Sequence, residues 1–321
     1  MLLSLQEATK MIEGGRRLAI AGDEGLLSKL PRGNWIGGTT PYFMAQDGCT
    51  ISKDKLFVQD LTDVTTGATV MSYGTDDLPK ISGHVPESGF SIVIVPAFSP
   101  AHIAYGRNAP NYPDIFIKPV LGWIAGVHLG DLGKVSPKVF NGMTGHGSDK
   151  EAVAFHCQIE PGKLAIVAII NLFQQGSGDT IQFEEEGFQI KNCLVNGVKR
   201  DFAEYLAQNK IDTKLPLVAD YCGAEVNVSF QSVDGAKGVA LYAPVFTGVE
   251  YKVAAPVSNY IESFHKALPK CASPVFTCNC ILNFLYSELE GKVVERMSGP
   301  ITFGEIAYQL VNQTLVYLEI Q

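Results

Sequence analysis

Apolar positions along the chain follow two rhythms. Leu5 to Ile12 recur at helical spacing, opened by Ser4 with Glu7 three residues on and closed by Gly14-Gly15, which predicts a helix with a capping box. The same signature, Asp201 followed by Glu204, predicts a helix to Gln208, and Tyr260, Ile261, Phe264 and Leu268 share one helical face. The other apolar runs are short and read as strands: 17–21, 56–61, the nearly continuous run 90–98 ending about Pro96, 239–246 and 315–320. Residues 150–157 and 163–173 predict an antiparallel hairpin turning at Glu160-Pro161-Gly162, and Asn196-Gly197 a two-residue hairpin. In 224–230, Ala224, Val226, Val228 and Phe230 alternate with Glu225, Asn227 and Ser229; the polar set is expected to face solvent, the alternative being a cavity wall with Asn227 as a ligand contact. Near the C-terminus a strand enters a turn at Cys278, and 283–290 reads as one short helix.

Many hairpin-like strands with few helices predict an α/β fold of the mixed α+β kind. The sheets are expected to be mixed and largely antiparallel, flanked by outer helices, in a four-layer αββα arrangement of two halves. Two domains are expected, 1–200 and 201–321. Residues 99–147 are dense in Pro, Gly, Asn and Tyr, with no helical period before 119–127; they read as a loop-rich insertion, a lid or an interface arm.

Charge and composition narrow the function. A net charge of −8 without a basic cluster disfavours nucleic acid as a partner. The longest uninterrupted apolar run, 164–170, is far below the ~20 residues of a membrane helix, so no membrane insertion is expected. The first residues show no basic region followed by an apolar core, so no secretory signal is expected there, and a cytoplasmic location is expected. The cysteines, Cys49, Cys157, Cys193, Cys222, Cys271, Cys278 and Cys280, are irregularly spaced and read as mostly buried thiols. His102, His128, His146 and His156 match no metal-ligand spacing; neither metal nor cofactor is expected.

Two glycine-containing bends carry the candidate chemistry. In Trp35-Ile36-Gly37-Gly38-Thr39-Thr40, glycines admit close approach of a ligand, and the hydroxyls and N–H groups suit an anion or carboxylate; a plain tight turn is the alternative. No Gly-Lys-Ser/Thr follows, and a dinucleotide fingerprint lacks its third glycine. The second bend joins Cys278-x-Cys280 to Phe303-Gly304-Glu305. A carboxylate in that apolar setting is paired, a ligand contact or an acid–base group. Asn312 and Thr314 are expected to brace a turn.

Cys280-Ile281-Leu282, Phe303-Gly304-Glu305-Ile306, Asn312-x-Thr314 and the closing apolar strand resemble the C-terminal half of FIST domains. These are α/β sensory modules of bacterial signalling proteins and of some eukaryotic F-box proteins, and residues 35–40 resemble their other half. The family often has a basic residue where Asn283 stands. The resemblance implies a FIST-N-like half (1–200), a FIST-C-like half (201–321) and a non-catalytic sensory function. The implied ligand site joins Gly37, Gly38, Thr39, Thr40, Cys278, Cys280, Phe303, Gly304 and Glu305. The ligand would be a small molecule, amino-acid-like if Glu305 takes an amine and the Thr39-Thr40 bend a carboxylate. Two alternatives stand beside it: an enzyme with Cys280 or Glu305 catalytic in the same pocket, and a scaffold or assembly subunit using the 99–147 loop. A homo-oligomer or a signalling partner protein is compatible with each.

Overall fold

The computed structural model describes residues 1–221, 224–268, 274–294 and 296–321, so Cys222 and Cys271 lie outside the described residues. The fold is of the α/β class, with mixed and antiparallel sheets and few helices. Locally encoded elements form as expected. In the Leu5–Glu13 helix the Ser4 hydroxyl accepts from Glu7 N–H while the Glu7 carboxylate accepts from Ser4 N–H. Phe202–Gln208 starts on the Asp201 carboxylate, 3.0 Å from Glu204 N. Asn196 and Gly197, at φ 49° and 81°, turn Asn192–Val195 onto Val198–Asp201, as a tight hairpin turn requires.

The chain forms two compact units. One comprises Met1–Ile169, Leu268–Leu310 and Leu315–Gln321; the other comprises Ile170–Ala267 and Val311–Thr314. The boundary expected at 200/201 falls inside the second unit. Pairing over long separations is the reason: Gly299–Thr302 pairs with Tyr42–Ala45, and Glu305–Ala307 with Val120–Ala125.

Three six-stranded sheets build the first unit. The first runs Leu2–Leu3, Leu56–Asp60, Leu18–Gly22, Trp35–Thr39, Val139–Asn141, His146–Ser148. The second runs Gln309–Val311, Glu305–Ala307, Val120–Ala125, Gly89–Pro96, Ala152–Gln158, Gly67–Tyr73. The third runs Ala165–Asn171, Thr314–Ile320, Phe276–Cys280, Gly299–Thr302, Tyr42–Ala45, Gly48–Ile51. Each holds a parallel pair: Leu18–Gly22 with Trp35–Thr39, Gly89–Pro96 with Val120–Ala125, and Phe276–Cys280 with Gly299–Thr302. The first and second sheets meet at Gly38, where a Cβ would lie 2.6 Å from Ile94 Cγ2 and 2.8 Å from Trp123 Nε1. Trp123 also stacks on Phe276 of the third sheet, ring centroids 5.8 Å apart.

Three expectations are corrected here. Residues 99–147 are not an insertion: they supply the Pro100–Asn108 helix and the fully buried Val120–Ala125 strand, which holds two sheet neighbours. Its glycine and β-branched residues suit close strand packing, and periodicity alone does not separate so short a buried run from a helix. The hairpin expected from 150–157 and 163–173 does not form. Ala152–Gln158 pairs with Gly67–Tyr73 and Gly89–Pro96, while Ala165–Asn171 joins the third sheet beside the C-terminal strand. The expected 283–290 helix instead spans Ile281–Tyr286, with Cys280 at its N-cap.

The second unit carries one six-stranded sheet, from Val198–Asp201 through Leu217–Tyr221 to Ala224–Val228, and a three-stranded sheet centred on Gly238–Val245. Phe183 meets Phe202 and Tyr251 edge-to-face, and Phe230 packs on Phe202 with the planes tilted by 45°. Asn227, expected in solvent, is fully buried: it exchanges amide hydrogen bonds with Asn171 at 2.9 and 3.0 Å and donates to Asn312 O. Asn312 Oδ1 accepts from Ser229 N and Oγ, so its side chain ties the turn to a residue 83 positions away, where a bond within the turn itself was expected.

Candidate functional site

The two bends picked out in the sequence do come together, but the space between them is filled. Thr40 Oγ1 donates to Ile301 O at 2.7 Å. Gly126 N donates to Thr39 O at 2.7 Å, and the strand preceding Gly126 exchanges Ile124 N–Gly304 O and Phe303 N–Ile124 O bonds with the second bend. The Phe303 ring packs against Gly126, where a Cβ would lie 2.2 Å from its Cδ1. Gly37 and Gly38 sit inside the Trp35–Thr39 strand, not in a loop, and Gly38 serves sheet-on-sheet contact.

Cys278, Cys280 and Glu305 are 0–1% exposed. The Cys278 thiol lies 3.2 Å from Gly122 O, and burial together with the Glu305 charge pushes its pKa well above the ordinary thiol value. That is the opposite of nucleophile activation, which needs a stabilised thiolate. The Glu305 carboxylate lies 3.4 Å from the Thr302 hydroxyl, itself within reach of Gly304 O and Asn279 O. Thr302–Glu305 is thus a corner where the chain crosses from the third sheet into the second.

On the other side of the Thr39-Thr40 bend a cleft of about 380 Å³ opens. Thr39 and Thr40 line it with Gly22, Asp23, Glu24, Lys53, Gly126, His128 and Asp131; Gly37, Gly38, Cys278, Cys280, Phe303, Gly304 and Glu305 do not. Its floor is made by the carboxyl ends of Leu18–Gly22, Trp35–Thr39 and Val120–Ala125, where sheets with parallel strands characteristically bind ligands, since the chain leaves the sheet there in diverging loops. Asp23 caps Glu24–Leu27 through Oδ1, 2.9 Å from Gly25 N. Among the described residues no donor reaches its Oδ2.

The cleft rims are held by ion pairs. Lys53 Nζ lies 2.7 Å from Asp131 Oδ2, and this bond lowers the Asp131 pKa and raises that of Lys53. Lys138 pairs with Glu24. The His128 ring stacks on Tyr42, centroids 5.9 Å apart and planes at 9°. Its Nδ1 accepts from Gly130 N at 3.1 Å, so a neutral ring carries its proton on Nε2 and is a donor there. Tyr42 Oη in turn accepts from Leu129 N.

Sequence reasoning found Thr39 and Thr40 but missed Asp23, Lys53, His128 and Asp131 as a group. The available signal was Gly22-Asp23-Glu24-Gly25 directly after a predicted strand, an acidic cap at the sheet end where ligands gather.

The chain belongs to a family of unknown function, DUF6976, whose pattern it matches over residues 3–321. No curated protein matches it. No solved structure matches it either.

Proposed function

We propose that this protein binds a small polar molecule, amino-acid-like in its charge pattern, in the cleft at Thr39 and Thr40, without transforming it. The observation that carries this reading is the cleft's lining: an acid with a spare oxygen (Asp23) and an imidazole donor (His128) at the carboxyl ends of adjacent strands. Asp23 Oδ2 suits an ammonium group, and His128 Nε2–H suits a carboxylate oxygen. Asp23 takes the part the sequence assigned to Glu305, which does not line the cleft. The resemblance to FIST domains supports reading the bound molecule as a signal rather than a substrate. Cys280 and Glu305, the residues of the enzyme alternative, are 1% and 0% exposed and do not line the cleft, which gives that alternative no support.

Titration calorimetry with the free amino acids and their decarboxylated and deaminated analogues tests this. Binding is expected to need both charged groups of the ligand and to weaken about tenfold or more in Asp23→Asn, which keeps the capping oxygen but removes the charge. No binding by any compound, or equal binding by Asp23→Asn, overturns it.

A further inference from the structure

The longest apolar run in the sequence ends up on an open sheet edge. Ala165–Asn171 is the outer strand of the third sheet, and among the described residues only Thr314–Ile320 pairs with it. Leu164, Ile166 and Ile169 are 67%, 36% and 43% exposed. From Leu164 to Asn171 there is no charge, no proline and no glycine. Such a run carries none of the charges or prolines that commonly blunt an edge against strand addition.

The phase of the open edge follows from the closed one. Leu164 and Gln321 exchange both main-chain bonds, at 2.8 and 3.0 Å, so Leu164 turns its N–H and C=O inward toward the C-terminal strand. Alternation then turns those of Ala165, Val167 and Ile169 outward. We propose that a second copy of this chain pairs with this edge, antiparallel about a two-fold axis at Val167, joining two six-stranded sheets into one.

The second copy is the occupant that the strand's own sequence fits. With Val167 opposite itself, Ala165 faces Ile169 and Ile166 faces Ala168 of the other copy, so the exposed Ile166 and Ile169 each meet an alanine, one on each face of the sheet. Two chains of charge −8 repel on approach, and an uncharged run is where that repulsion is locally least. The pairing would add about six main-chain hydrogen bonds and cover the exposed Leu164, Ile166 and Ile169.

Light scattering on the eluting full-length chain tests this, together with cross-linking by a short bismaleimide. The expected mass is twice 34.7 kDa. Ile166→Lys, which sets a charge on the exposed edge, is expected to raise the dimer dissociation constant about tenfold or more, with the melting temperature unchanged at dilutions where both proteins are monomeric. Val167→Cys is expected to cross-link to its counterpart, whereas in Leu164→Cys the two thiols stand about 20 Å apart and stay unlinked. A wild-type mass of one chain, a dimer unaffected by Ile166→Lys, or cross-linking at Leu164→Cys in place of Val167→Cys overturns the proposal.

Discussion

Glu305 with Cys278 and Cys280, and Asp23 with His128 and Asp131, are separated by one turn of backbone at Thr39-Thr40, yet their surroundings are opposite. The first set is 0–1% exposed and packed between sheets; the second lines an open cleft. The difference lies in where each sits along its strand. Polar groups at a strand's interior or crossing corner are enclosed and spend their bonding capacity on the fold. Groups just past a carboxyl end stand where loops diverge and leave capacity for a ligand. Changes to the enclosed set should therefore be read in stability, and changes to the open set in binding.

The largest expected effect is acid destabilisation through the enclosed histidines. His156 lies 2.6 Å from Ser91 Oγ and 2.7 Å from Tyr73 Oη; burial, and then the nearby His84, hold its pKa down to about 4. Burial alone holds His102 to about 4. Above pH 6.5 both rings are neutral, folded or unfolded, and nothing is lost. Between 6.5 and 4 the unfolded chain takes up protons that the folded chain refuses, so stability falls as pH falls, and this contribution levels off below 4. Each ring accounts for about 3 kcal/mol over that window. Urea unfolding at pH 7 and at pH 4.5 should show the loss, and His156→Gln should remove about half of the histidine share. An equal loss in the variant would mean that His156 is not held neutral.

Next in size is Gly38→Val. If Gly38 is a packing residue, the new side chain meets Ile94 and Trp123 and costs about 1–3 kcal/mol. If it were a ligand contact in a free loop, binding would fall and unfolding would not change. Denaturant midpoints separate the two outcomes.

What was legible in the sequence follows the same division. Ser4 with Glu7, Asp201 with Glu204, and Asn196-Gly197 are settled within four residues by local hydrogen bonds or turn geometry, and all three form as expected. Strand partners were not legible. The 164–170 run looks like the second arm of a hairpin because Pro161-Gly162 invites a turn, but the choice between Ala152–Gln158 and Thr314–Ile320 rests on contacts about 150 residues away. Glu305 was recognisable as buried from its apolar neighbours. Which side of the bend held open space was not, because that depends on Phe303 filling the surface of Gly126.

Thr40 tests the boundary itself, since it lines the cleft and also ties the two bends through Ile301 O. Thr40→Val keeps the shape and leaves that buried carbonyl without its donor, an expected cost of about 1–2 kcal/mol. Ligand binding should weaken as well, because the cleft floor loses a hydroxyl. A stability loss with binding unchanged would put Thr40 wholly with the enclosed set.

The smallest effect on stability, and the sharpest contrast with Gly38→Val, is expected from Lys53→Ala. Its partner Asp131 and the lysine itself are substantially solvated, at 35% and 48% exposed. Water and salt screen such a pair, so its removal should leave the unfolding midpoint within error. It does release a carboxylate at the cleft rim, since Asp131 loses the bond that lowers its pKa. Two acids, Asp23 and Asp131, then face the cleft without a neutralising amine. Cationic ligands should bind more tightly and zwitterionic ones should shift toward those with a weaker negative end, both effects fading as salt is raised. Unchanged affinity across that series would place the ligand's charged groups elsewhere than at this rim, even with the fold intact.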